Sequence, residues 1–234
     1  MISETSKLPI YMQTSEWLIR EVSSGRLADG EKLPPEREMA ADLGIAVGTL
    51  RKALSELESK GFIERLQGSG NYIKHNPSGA GIYAFFRLEL LDGGGAPSAK
   101  TLNVERLKKP QDLPKFGGSK SGHRIRRVRF LTDLPAATEE IWLDGKWAKK
   151  IRRDDLSDAL YYYYQKSLGL LIDHVEDKVG VSTLPDWSAT EIGCHPGDLV
   201  GFVERWSRAA DGEIVEYSRT WFNPDRARYV ARIR

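Results

Sequence analysis

The stretch from Leu33 to Gly70 constrains this chain more than any other. It reads LPPEREMAADLGIAVGTLRKALSELESKGFIERLQGSG. Pro34 and Pro35 open a helix over Glu36 to Leu43, because a proline's missing N–H needs no partner in a first helical turn. Gly44 breaks it. Leu50, Leu54 and Leu57 repeat at i, i+4 and i+7, which predicts a second helix from Val47 to Lys60 with one face on a core. Gly61 suits its C-cap, since glycine tolerates positive φ. Phe62-Ile63 and Tyr72-Ile73 predict a hairpin around Gln67-Gly68-Ser69-Gly70. Two short helices and a hairpin make a helix-turn-helix with a β-wing, a shape that lays its second helix in a DNA major groove.

The stretch resembles the winged-helix DNA-binding domain of the GntR family of bacterial transcription regulators. The likeness is carried by Leu33 to Glu38, Leu43-Gly44, Gly48 to Leu54, Leu57, Gly61-Phe62-Ile63 and the wing from Gln67 to Gly70, in order and at the family spacing. A helix over Pro9 to Ser24, with Ile10, Trp17, Leu18 and Val22 on one face, resembles the family's opening helix. Trp17 reads as core rather than ligand.

Charge tests the DNA reading. Residues 1–75 hold ten Lys and Arg against eleven Asp and Glu, so they lack the basic footprint of a DNA binder. Binding then requires segregation: Arg37, Arg51, Lys52, Arg65 and Lys74 towards DNA, the acids away. The family match implies contacts from Arg37 and Arg51. Thr49 and the amides of Gly68 and Gly70 suit phosphate contact, because small residues admit close backbone approach. The alternative for a helix-turn-helix with no basic excess is an interaction module. The family commonly has Ser-Arg at the start of the second helix, and Ala46-Val47 stands there in this chain. Valine offers only apolar contact, for example to a thymine methyl, so the preferred operator differs.

The chain has 234 residues, enough for two ordinary domains, and its net charge of +2 does not single out a polyanionic partner. Cys194 is the only cysteine, so no intrachain disulfide forms. The first residues lack a secretion-signal pattern, and no apolar run reaches the roughly 18–20 residues that span a bilayer. The expectation is a cytoplasmic protein with no membrane partner.

Asn76 to Gly81, NPSGAG, is a linker by composition. The division expected is 1–75 for DNA binding, 76–81 for the linker and 82–234 for a second domain. Beyond the linker the periodicity changes to two. Gly81 to Leu91 alternates and predicts a strand, as do Thr101 to Leu107, Arg124 to Phe130 and Ala136 to Leu143. Arg106 to Arg129 carries nine Lys and Arg against Asp112 alone. Such a run is usually a solvated face, but a strand with Ile125, Arg127 and Arg129 on one side can also line an anion pocket. Asp154 or Ser157 caps a predicted helix reaching Leu168, with Leu156, Leu160, Tyr163, Tyr164 and Leu168 inward. Its run Tyr161 to Tyr164 reads as packing or a subunit contact rather than a cofactor box. A strand over Leu171 to Leu184, a short helix over Asp186 to Ile192, a hairpin of Asp198–Ser207 with Glu213–Phe222, and a last strand at Arg228 to Ile233 complete the pattern.

Residues 81–234 resemble the effector-binding UTRA domain of the HutC-type GntR subfamily. The likeness rests on Arg127-Val128-Arg129-Phe130 with Pro135 and Glu139, on Leu160 to Gly169 with its following strand, and on Gly197-Asp198 through Asp211 to Arg219. It implies an α+β fold similar to chorismate lyase that binds small metabolites. By position, Arg127 and Arg129 would clamp a carboxylate or phosphate, Glu139 and Glu216 would accept hydrogen bonds from it, and Ser182 would donate one. Relatives that bind sugar phosphates carry Ser or Thr near Tyr83 to Phe86, and none stands there. Phe222-Asn223 replaces a common Tyr-Arg, and Arg87 would take over part of the anion binding. These departures lean towards a carboxylate.

The whole therefore reads as α+β, a winged helix-turn-helix followed by a lyase-like domain. The function implied is a homodimeric repressor that binds a double-stranded DNA operator and responds to a small-molecule effector. Two alternatives stand: an enzyme on the lyase-like domain, or a DNA-binding scaffold without ligand. No metal-ligand spacing, nucleophile motif or phosphate-binding glycine loop is present, and His75, His123, His174 and His195 are scattered. The expectation is no catalytic residue, no metal and no cofactor.

Overall fold

A computed structural model describes residues 8–23, 25–74 and 81–232. Residues 76–80 of the expected linker, Ser24, His75 and Ile233 lie outside the described residues.

Three helices and a hairpin form the N-terminal unit: α1 (Ile10–Ser23), α2 (Glu36–Asp42), α3 (Val47–Ser59), β1 (Ile63–Leu66) and β2 (Gly70–Ile73). The leucine repeat of α3 is fully buried, together with Leu18, Val22 and Phe62. The wing pairs Ile63 with Ile73 and Leu66 with Gly70. Ile10 departs from the expected inner face and is half exposed. The helix instead buries Gln13, Thr14, Ser15 and Glu16, polar residues, because α1 also packs on the second unit. Leu8, just ahead of it, sits in a cluster with Tyr83 and Ala159.

The second unit is built on a six-stranded antiparallel sheet. Its strands are β4 (Pro97–Lys108), β5 (Ser121–Leu131), β6 (Leu134–Asp144), β7 (Ile172–Thr183), β8 (Leu199–Ala209) and β9 (Ile214–Phe222), in the order β4-β5-β6-β9-β8-β7. A two-stranded ribbon joins β3 (Leu88–Leu90) to β10 (Ala227–Tyr229). Period two puts alternate residues on one face. In register, Arg127 faces Glu139, Glu139 faces Thr220 and Thr220 faces Val203. The next row runs Ile125, Ile141, Ser218 and Arg205.

Three expectations of secondary structure are corrected, the first being that the short helix expected over Asp186 to Ile192 is only a 3-10 turn at Thr190–Ile192. Only Leu88–Leu90 of the predicted strand Gly81 to Leu91 is extended and paired. Residues 82–87 turn instead, with Ala84 donating to the Gly81 carbonyl and Phe86 to the Tyr83 carbonyl. The turn tucks Tyr83 beside Leu8 and Ala159, which a straight strand would not do. The tyrosine helix is also shorter than predicted. A 3-10 turn at Arg153–Asp155 precedes α4 (Leu160–Tyr163), which ends in a π turn over Tyr164–Leu168 closed by Gly169 at φ 66°. The wider turn drives Tyr164 fully into the core with Leu156 and Leu160.

Candidate DNA-binding and effector sites

The surface expected to read DNA is the exposed side of α3 with the wing. Arg37, Arg51, Lys52, Gly68 and Gly70 are exposed, and Thr49 is half-buried at the start of α3. Ala46 precedes the helix and makes no side-chain cap. Gly68 and Gly70 hold φ of 76° and 131°, backbone that favours glycine and lets the wing tip turn. The charges do not segregate as required. Arg51 pairs with Glu36 at 2.6 Å, Arg65 with Glu58 at 2.9 Å and Lys74 with Glu64 at 3.0 Å. Lys52 lies 3.8 Å over the Tyr11 ring of α1. Acids thus interleave with the basic residues, because neighbouring positions on a short helix and hairpin share one surface. Exposed pairs of this kind contribute about 0–1 kcal/mol, so a phosphate displaces the acid at little cost.

The second site is a cavity between the sheet, the tyrosine helix and the turn at 82–88. It holds about 720 Å³ of space including its mouth. Arg87, Arg127, Arg129, Glu139 and Glu216, five of the residues expected to bind effector, line it. Ser182 does not; it lies at the end of the edge strand β7, opposite Val200.

The two central arginines differ. Arg127 gives Nε and Nη2 to Glu139 at 3.0 and 2.7 Å, and Nη1 to the Asp158 carbonyl at 3.1 Å. Arg129 also reaches that carbonyl, at 3.0 Å, but stands 3.8 Å from Glu139. Its Nε is buried with no hydrogen-bond partner. Burial opposes charge on all three groups. At Glu139 it is outweighed by Arg127 and Arg129, which hold the carboxyl below its ordinary value, and at Arg127 by Glu139, which raises the guanidinium. At Arg129 burial wins and lowers it.

Glu216 is less available than its position suggested. Tyr164, Ser207 and Tyr161 donate to it at 2.7, 2.9 and 3.1 Å, so three hydroxyls already occupy most of its acceptor sites. The tyrosine run thereby gains a role in positioning the cavity floor. Arg87 binds the Ala84 carbonyl of its own turn.

Sequence reasoning missed Arg205, Tyr229, Ser218 and Thr220, all in the cavity wall. Arg205 grips Asp177 at 2.6 and 2.7 Å and the Phe85 carbonyl at 2.6 Å, and Tyr229 donates to Asp177 at 2.7 Å. Burial and then the Asp177 hydrogen bond push the Tyr229 hydroxyl up to about 12. The alternation of β8 and β9 places Arg205 and Ser218 opposite each other and is visible in the sequence. Nothing local says whether Glu204 or Arg205 points inward. Among the described residues, no cluster of His, Cys, Asp and Glu could hold a metal, and no helix is long and apolar enough to cross a membrane.

A winged helix-turn-helix joined to a second domain that holds a cavity is the build of a DNA-binding regulator. The sequence matches "Bacterial regulatory proteins, gntR family" over residues 10–73 and "UTRA domain" over residues 92–228. The chain belongs to the GntR family as a DNA-binding transcription regulator with a UTRA effector domain. It is 55% identical to the HTH-type transcriptional regulator SmoD of Agrobacterium fabrum, covering 97% of each chain. Against the HTH-type transcriptional repressor NagR of Bacillus subtilis the identity is 26%, over 98% of this chain and 96% of that one. The fold is shared with the crystal structure of the possible regulator YydK of Bacillus subtilis, with a TM-score of 0.54, 20% identity, and coverage of 97% and 100%.

Proposed function

We propose that the protein is a homodimeric repressor whose hold on its operator changes when a small anionic metabolite, a carboxylate or phosphate, enters the cavity. The observation that carries this is Arg129, a buried guanidinium in the cavity wall whose Nε has no hydrogen-bond partner. A buried unmet donor on a cation is costly, and an anion would satisfy it. Arg127, held by Glu139 and Asp158, positions the clamp. Ser218, Thr220 and Tyr229 supply hydroxyls for the remainder of the ligand. The repressor sense is supported by the printed name of NagR.

The test is a thermal-shift screen of the purified protein against carboxylates and sugar phosphates, followed by operator gel shifts with each hit. Arg129→Ala should melt within a few degrees of wild type, bind operator, and lose the response to the hit. Arg127→Ala should lower the melting temperature markedly, since it strands Glu139. An Arg129→Ala protein that responds at wild-type metabolite concentration removes the cavity as the effector site.

A further inference from the structure

The turn at 82–88 has the cavity on one side and α1 of the DNA-binding unit on the other. Tyr83, Phe86 and Leu88 line the cavity. From α1, Glu16 approaches so closely that a Cβ on Gly81 would lie 2.0 Å from its carboxylate. Arg20 reaches further. Its Nη2 donates to the Leu88 carbonyl at 2.8 Å and its Nη1 to the Phe86 carbonyl at 3.5 Å. Its Cζ is 5.3 Å from the centre of the Phe86 ring, and the Cζ of Arg129 is 4.5 Å from the same centre. The Nε atoms of both arginines are buried without a hydrogen-bond partner. Two cations, one from each unit, thus share one aromatic ring.

We propose that Arg20 reports occupancy of the cavity to the DNA-binding helices: an anion on Arg129 tightens the grip of Arg20 on Phe86 and Leu88 and fixes α1 against the effector domain. This deepens the anion-binding reading above and rests on it. Like charges in a buried place repel strongly because little water screens them. Burial first, and the charge of Arg129 with it, lowers the pKa of Arg20 to about 10, while Glu89 works to raise it. An anion at Arg129 cancels the repulsion between the two guanidiniums. Arg20 is then held more firmly, and α1 with it. The coupling is reciprocal: a docked Arg20 adds its positive field to the cavity and favours the anion. A ligand moves an equilibrium only through a differential interaction with its two states, and the Arg20–Phe86–Arg129 contact supplies one.

Hydrogen exchange on the full-length protein, read by mass spectrometry with inorganic phosphate as the probe, tests this. In wild type, phosphate should slow exchange in β5, in 82–88 and in α1. Arg20→Gln should keep the protection of β5 and lose that of α1, by about fivefold or more. Phe86→Leu, which leaves Arg20 in place but removes the shared ring, should do the same. Protection of α1 at the wild-type level in both variants overturns the proposal. A ligand-free cycle decides it separately. Arg129→Gln should slow exchange in α1 when Arg20 is present, and the effect should vanish in the double variant with Arg20→Gln. Additive effects overturn the role of Arg20. Phosphate that protects neither β5 nor 82–88 overturns the anion reading of the cavity instead, and the cycle still reports on Arg20.

Discussion

Glu139 stands between two buried guanidiniums and decides how much free positive charge the cavity shows. It binds Arg127 through Oε2 and approaches Arg129 through Oε1 at 3.8 Å. Removing one partner of a buried ion pair leaves an uncompensated charge and typically costs about 3–5 kcal/mol. Glu139→Gln should therefore lower stability by about that amount. Added phosphate should raise the melting temperature of the variant more than that of wild type, because the stranded arginines take the anion in place of the carboxylate. The pH dependence has a definite sign. The folded pKa of Glu139 lies below the ordinary 4.5, so its contribution is complete above 4.5 and is lost as pH falls through the folded value. The melting gap between wild type and Glu139→Gln should be wide at pH 7 and close below about pH 4.5. A gap that does not change between pH 7 and the acid limit would show that Glu139 is not held as a carboxylate.

At the scale of elements, α3 and the wing are expected to meet DNA, and the strength of any contact would depend on pairs that must open. Arg51 is 64% exposed and tied to Glu36, so releasing it costs little. Arg51→Ala should weaken operator binding by roughly 1–3 kcal/mol if the guanidinium meets a base edge. A gel-shift titration with unchanged affinity removes Arg51 from the interface. These elements were legible in the sequence because their signals are local: leucines at helical spacing, glycines where φ turns positive, and apolar pairs flanking a turn. The sheet strands were legible for the same reason, within a few residues at each end. The turn at 82–87 was not. Ile82, Ala84 and Phe86 alternate as well as any strand, and what bends the segment is packing against Leu8 and Ala159, far away in sequence. The π turn after α4 is likewise set by the buried contact of Tyr164 with Glu216 on β9. The cavity was half visible. Arginines spaced by two on a strand named one wall, but Arg205 and Arg20 are placed by tertiary contacts, with no motif around them.

At the scale of the whole molecule, α1 belongs to both units, and its buried Gln13, Thr14 and Glu16 follow from that double contact. Coupling therefore need not run through the stretch at 76–80 alone, since Leu8 and Arg20 touch the cavity wall directly. A regulator of this build would act on two half-sites as a dimer, and the sheet offers an edge for one. Both edge strands, β4 and β7, have unpaired backbone groups on their outer side. Charged side chains commonly guard such edges, and β4 carries Lys100, Glu105, Arg106 and Lys108. The stretch Val179-Gly180-Val181 of β7 has no charge, and Val181 is 68% exposed with Leu199 of β8 nearby at 67%. A second copy of the chain added antiparallel along β7 would satisfy the edge and cover these side chains. Val181→Lys adds a charge at this edge and touches no core residue, so it should leave the melting transition of each unit intact while halving the mass read by light scattering. The same variant should bind a two-half-site operator more weakly than wild type and a single half-site equally. A wild-type protein that is monomeric at operator-binding concentrations, or a Val181→Lys protein that stays dimeric, rules out β7 as the dimer edge.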